Sequence, residues 1–200
     1  MNKLLIVSFF LLNGLLYSQT YNYKYEVNNC YDKTSKLNFT ERGKAIRDCL
    51  IGIETPNFKA VTINNDSIEL KKYLGNVVVI NFWFISCAPC IAEMPGLNDI
   101  VKKYINDSVK FISITKETKS NILDFFSNKK HFDFEIISDN EEIFREIFSF
   151  KVGFGYPTTL VIDKEGVIRY IKSGGYSDKR AKNAIKNDLL PIIDELISLQ

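Results

Sequence analysis

The sequence predicts an α/β domain of three layers, a mixed sheet with helices on both faces. Three observations carry this. Val77 to Trp83 is apolar at nearly every position, as a strand covered on both sides must be. Strand-like runs alternate with segments whose apolar residues recur every three or four positions, which implies parallel strands joined by helices. The last two strand-like runs, Thr158 to Asp163 and Val167 to Ile171, are separated only by Lys164-Glu165-Gly166. That linker reads as a tight hairpin with glycine at a left-handed position, so the sheet ends antiparallel.

Met1-Asn2-Lys3 supplies one positive charge, Leu4 to Leu16 is almost wholly apolar, and polar residues resume at Tyr17-Ser18-Gln19. A basic head, a short apolar run and a small residue near its end match a secretory signal. The run falls short of the ~20 residues of a membrane span. The expectation is a signal over 1–18, cleaved near Ser18 or Gln19, with an uncleaved anchor as the alternative. Residues 19–53 then form an N-terminal extension and 54–200 the main domain.

Within the extension, Tyr21, Tyr23 and Tyr25 alternate as in a strand. A helix follows from about Thr40, with Ala45, Ile46, Cys49 and Leu50 on one face and Gly52 as its stop. Phe58 to Ile63 and Ser67 to Leu70 form a small hairpin around Asn64-Asn65-Asp66. Val109 to Thr115 and Phe134 to Ser138 are further strands. Helical spacing joins Met94, Leu97, Val101 and Tyr104, then Ile122, Phe125 and Phe126, then Ile143, Phe144, Ile147 and Phe148. The tail repeats at Ala181, Ala184, Ile185, Leu189, Ile192 and Leu196, with a break or kink expected at Pro191. The phenylalanines between 125 and 150 read as core, and Lys102-Lys103, Lys129-Lys130 and His131 as surface.

Two hundred residues, 46% apolar and 25% charged, suit one soluble domain with a full core. A net charge of +2, with no basic excess on one element, argues against a nucleic-acid-binding module. The chain shows no internal repeat and no low-complexity tract.

Four cysteines carry the chemistry. In an oxidising compartment disulfides persist, and the four fall into two kinds of pair. Cys30 and Cys49 are widely spaced and lie before the main domain; they are expected to form a structural disulfide. Cys87-Ala88-Pro89-Cys90 follows a buried strand and opens a helix. There the unpaired N–H groups and the dipole stabilise a thiolate, which is the species that attacks disulfides. Pro89 suits the first turn, where its missing N–H costs nothing. Cys87 is expected to attack and Cys90, one turn in, to resolve the mixed disulfide. A C-x-x-C is also half of a zinc site, but zinc needs two more ligands, and Cys30 and Cys49 have the wrong spacing. No metal or cofactor is implied.

Val77 to Trp83 followed by Cys87-Ala88-Pro89-Cys90 resembles the thioredoxin-like, TlpA/ResA-type periplasmic thiol–disulfide oxidoreductases. Gly155-Tyr156-Pro157-Thr158-Thr159-Leu160-Val161-Ile162-Asp163, with Lys164-Glu165-Gly166 after it, resembles their second signature. The resemblance covers roughly residues 54 to 175. It implies a thioredoxin-like three-layer sandwich, a cis Pro157 facing the cysteine pair, and a substrate-binding surface drawn from Trp83, Tyr156 and Pro157. It also implies exported thiol or disulfide proteins as substrates, such as an apocytochrome, and a membrane-embedded electron donor. Two departures stand out. Family members commonly carry Trp before the first cysteine, where this chain has Ser86, and the buried acid of cytosolic thioredoxins is replaced by Asn81.

Glu93 is the remaining candidate. With Leu97, Ile100 and Tyr104 it falls in one stripe of the helix that opens at the cysteines, on an otherwise apolar face near Cys90. A carboxyl there loses solvent and gains proton affinity, which suits it to exchange a proton with the resolving thiol. Relatives of this type often carry an acid three residues after the second cysteine. The alternative is an exposed first-turn glutamate, with Pro95 turning it outward. The functional expectation is therefore a disulfide reductase of the periplasm. A peroxidase of the same fold and a non-catalytic binding module are the rivals.

Overall fold

The structure is a computed structural model and describes residues 22–127 and 130–199. The expected signal over 1–18, Tyr21 and Lys129 lie outside the described residues. None of the described helices is long and apolar enough to cross a membrane.

The elements follow in order. A helix α1 spans 22–33 and α2 spans Phe39–Leu50. A hairpin of β1 (Lys59–Val61) and β2 (Ser67–Glu69) leads through a 3-10 turn, Leu70–Tyr73, into β3 (Val77–Trp83). Then come α3 (Ala88–Lys103), β4 (Val109–Thr115), α4 (Lys119–Ser127) and β5 (Glu135–Ile137). A π-helical turn, Ile143–Ile147, precedes β6 (Thr158–Ile162), β7 (Ile168–Ser173) and α5 (Arg180–Ser198).

The main sheet has five strands in the order β5-β4-β3-β6-β7. β3, β4 and β5 are parallel, whereas β6 pairs antiparallel with both β3 and β7. Gly166 turns the β6–β7 hairpin at φ +86, a conformation that a Cβ would strain. Every residue of β3 is buried, so alternate side chains serve two cores. Val78, Ile80 and Phe82 face a core completed by α1, α2 and the segment around the π turn. Val77, Val79 and Trp83 face the core of α3 and α5. The three-layer α/β sandwich with a mixed sheet is therefore present, with the extension built into one of its layers.

Three local expectations need correcting. Tyr23 and Tyr25 lie on helix α1, not on a strand. Tyr23, Val27, Cys30 and Tyr31 are its buried positions, on one face of the helix, while Tyr25 is 61% exposed. Tyr23 Oη donates to the Phe148 carbonyl at 3.1 Å, and the Lys151 N–H donates to Tyr31 Oη at 2.8 Å. Second, Ile143 to Phe148 forms a π turn in place of an α-helix, closed by the Phe148 N–H on the Ile143 carbonyl at 2.9 Å. The wider turn sends Ile143, Phe144, Phe148 and Phe150 all into the core. Third, α5 continues through Pro191 without interruption.

The phenylalanines at 132, 134, 144, 148 and 150 are buried, as a core reading requires, and His131 is exposed. The Asn98 side chain on α3 pins the segment beside it. Its Nδ2 donates to the His131 carbonyl at 3.0 Å, and its Oδ1 accepts from the Asp133 N–H at 2.9 Å.

Candidate functional site

The site is assembled where β3 ends. Cys87 caps α3 with extended backbone (φ −86, ψ 95), and its Sγ accepts the Cys90 N–H at 3.3 Å. The helix thus spends one of its free N–H groups on the sulfur, which favours a thiolate there once the bond is open. Cys87 and Cys90 are joined as a disulfide, with Cα atoms 5.3 Å apart. Both are buried, at 5% and 2% exposure, while Ser86 and Ala88 beside them are exposed.

The facing wall comes from the start of β6. Its register sets Thr158 opposite Phe82, so Pro157 stands at the end of the sheet from which Cys87 emerges. The Tyr156–Pro157 bond is cis. Thr158 Oγ1 donates to the Gly155 carbonyl at 2.6 Å, and the Gly174 N–H donates to the Pro157 carbonyl at 2.8 Å, which ties the turn to the end of β7. The Tyr156 ring stacks on Phe144 with centroids 4.8 Å apart and meets the edge of Phe84 at 5.1 Å. Burial, with Glu141 nearby, pushes its phenol pKa up to about 12, so the hydroxyl stays protonated at physiological pH.

Beneath the cysteines the sheet presents a polar row. Ser113, Asn81, Thr159 and Lys172 are register partners across β4, β3, β6 and β7, on the face covered by α3 and α5. Asn81 Nδ2 donates to Thr159 Oγ1 at 2.9 Å inside the core. This amide occupies the place of the missing strand carboxylate and is satisfied by a neutral partner.

Glu93 lies inward, at 1% exposure, despite Pro95 two residues on. Cys90 is one turn before it on the same buried face. Burial raises the Glu93 pKa above the usual carboxylate range; Lys172 pulls it back down and Asp188 adds to the rise. Neither carboxyl oxygen has a hydrogen bond among the described residues, and Lys172 Nζ lies 3.1 Å from Oε1 as an ion pair. Gly175 closes the other side. A Cβ there would collide with the Glu93 carboxyl and stand 3.4 Å from Pro157 Cγ, so one bare backbone separates Glu93 from the cis-proline.

Trp83 is not part of a substrate surface. It is fully buried and packed by Phe125, Phe126 and Phe132, with ring centroids 6.0 to 6.3 Å away. Its position as the last residue of β3, facing α3, makes it the floor of the site. Cys30 and Cys49 lie apart from the site and are bonded to one another, with Cα atoms 5.8 Å apart, joining α1 to α2. Lys172, Asp188 and Gly175 escaped the sequence reading. Lys172 falls one residue past the strand expected over Val167 to Ile171, so nothing in the sequence showed that it lies on β7 or what it would face.

A model of the AhpC/TSA family matches residues 51–171, more than half of the chain. The chain belongs to the AhpC/TSA family. Among members with curated names it is similar to the thiol-disulfide oxidoreductase ResA of Bacillus anthracis, at 33% identity over 118 residues. That match covers 59% of this chain and 66% of the relative, so this chain spans about two thirds of that relative's length. It is also similar to the thioredoxin-like protein YneN of Bacillus subtilis, at 29% identity over 68% of this chain and 79% of that one. In fold it is similar to a thiol:disulfide interchange protein of the thioredoxin family from Chlorobium tepidum. The TM-score is 0.60 at 21% identity, covering 74% of this chain and 97% of the other. This AhpC/TSA member is thus a thioredoxin-fold protein whose kin include proteins named as thiol–disulfide oxidoreductases.

Proposed function

We propose that this protein is an exported thiol–disulfide oxidoreductase that reduces disulfides of other exported proteins through Cys87 and Cys90. The observation that carries the reading is the Cys87–Cys90 disulfide at the N-terminus of α3, with Cys87 Sγ accepting a helix N–H and the cis Pro157 on the facing strand. In the reduced form the Cys87 thiolate attacks a substrate disulfide. A mixed disulfide forms and the first substrate thiolate leaves. Cys90 then gives its proton to the Glu93 carboxylate and attacks Cys87 Sγ. The second substrate thiolate leaves, and Cys87 and Cys90 end bonded, as in this structure. Two electrons have passed to the substrate. Tyr156 and Pro157 form the wall against which the substrate chain lies.

Regeneration needs a dithiol donor, for which a membrane-embedded electron carrier suits an exported protein. An exported thiol protein such as an apocytochrome is the substrate class. The signal expected over 1–18 and the Cys30–Cys49 bond support an oxidising, periplasmic setting.

Insulin reduction by the purified protein with dithiothreitol tests the reading, together with trapping. Cys90→Ser is expected to accumulate substrates bound to Cys87, and Cys87→Ser to accumulate none. Trapping by the opposite variant reverses the roles. Peroxide consumption without insulin reduction replaces the reading with a peroxidase. Inactivity in both assays leaves a binding module. The reduction potential of the pair decides the direction of electron flow.

A further inference from the structure

Glu93 shares its cation. Lys172 Nζ lies 3.1 Å from Glu93 Oε1 and 2.9 Å from Asp188 Oδ2. Three elements, α3, β7 and α5, thus converge on one ammonium. Side-chain exposure rises along the trio, from 1% at Glu93 through 16% at Lys172 to 39% at Asp188. Placing a lysine inside the fold costs hydration and rotamer freedom, and a buried ion pair seldom repays that as stability. An apolar residue on β7 would serve the fold as well.

Its place argues for a task at the site. Lys172 stands opposite Thr159, which stands opposite Asn81, so the ammonium ends the polar row that runs beneath the cysteine pair. The Glu93 oxygens have no hydrogen bond among the described residues to hold them. What constrains the carboxyl is the ammonium on one side and the bare backbone of Gly175 on the other.

We propose that Lys172 is a positioning residue of the redox site, its ammonium fixing the orientation and proton affinity of the Glu93 carboxyl while Asp188 competes for the same ammonium. This deepens the proposed function and rests on Glu93 serving Cys90. The neighbouring charges have opposite effects. Burial raises the Glu93 pKa, Lys172 lowers it and Asp188 raises it. Burial alone would lower the Lys172 pKa, but its two carboxylates outweigh that and hold the ammonium charged. The other titratable groups around Glu93 are Tyr170 on β7, whose phenol pKa is raised by burial, and the two cysteines on its own helix. β3 and β6 offer only neutral Asn81 and Thr159.

The test is a carbon-13 NMR titration of the Glu93 carboxyl in the oxidised full chain, where the thiols cannot titrate. Lys172→Met is expected to raise the midpoint by about one to three pH units, the usual effect of losing a close opposite charge. Lys172→Arg is expected to restore most of it, and Asp188→Asn to move it the other way, downward. In the reduced protein the pH profile of mixed-disulfide resolution should shift in the same directions. An unchanged midpoint in Lys172→Met overturns the proposal, as does a shift of the same sign in Asp188→Asn. If Lys172→Met does not fold, the signs from Asp188→Asn and Lys172→Arg still decide. Failure of the underlying reading shows separately, as no insulin reduction by the unmodified protein, because the carboxyl titration does not depend on activity.

Discussion

Gly175 lies against the Glu93 carboxyl with no room for a side chain between them. Gly175→Ala must therefore displace the carboxyl from Lys172 or push the β7 end away from Pro157. Overpacking of this kind costs about 1–3 kcal/mol. The expected result is a lower Tm together with slower resolution of mixed disulfides. Gly155→Ala is the control for stability, since a Cβ there would meet nothing within 4 Å. Thermal unfolding of the two variants side by side makes the comparison.

The pH dependence of stability follows from Glu93. Burial sets its native pKa above the ordinary carboxylate value, so the native state holds that proton more tightly than the unfolded chain. The stabilisation this brings is complete below the ordinary carboxylate range and is lost as pH rises through the raised value. Glu93→Gln removes the loss. Its Tm relative to the unmodified protein is expected to rise between about pH 4 and neutrality, with little difference at the acid end. Melting curves at both ends check the sign.

Thr159→Val should strand the Asn81 amide in the core, because Thr159 Oγ1 is its partner at 2.9 Å. An unsatisfied buried donor costs about 1–3 kcal/mol. Adding Asn81→Leu to Thr159→Val is expected to recover part of that, since two apolar partners leave nothing unpaired. Denaturant unfolding of the single and double variants measures the coupling between the two sites.

The cysteines and β3 were legible because their signals are local, whereas the cis Pro157 was expected only through the family resemblance that its segment carries. A C-x-x-C after an apolar run, or a glycine hairpin after Gly155-Tyr156-Pro157, lies within a few residues. The burial of Glu93 was legible through helical period, since its partners on the apolar stripe are all on α3. Lys172 was not, because it lies far along the chain from Glu93 and only the β3–β6–β7 register brings them together. Trp83 was misjudged for a related reason: strand alternation puts it on the α3 face, under rings from Phe125, Phe126 and Phe132 that the sequence places much later. The early tyrosines misled through their spacing of two, while Val27 and Cys30, four and seven residues after Tyr23, held the helical signal.

Replacing Cys30 and Cys49 with serine is expected to cost about 2–4 kcal/mol, the usual loss for a bridge of this kind. The effect should fall on α1 first, because that bond is its covalent tie to α2. Insulin reduction at temperatures well below the new Tm should be largely retained, since neither sulfur belongs to the redox site. A Tm series with activity measured on the same samples checks both parts.

The α2 backbone crosses the segment leading to Tyr156 so closely that a Cβ on Gly153 would stand 2.5 Å from Gly43 Cα, and Arg47 Nη1 donates to the Gly153 carbonyl at 2.7 Å. Yet Gly43 and Arg47 lie upstream of the span shared with the family, which begins at residue 51. The limit of kinship is therefore not the limit of cooperativity in this molecule. Residues outside the matched span brace the segment that leads to the Tyr156–Pro157 turn, through the Gly43–Gly153 approach and the Arg47 hydrogen bond.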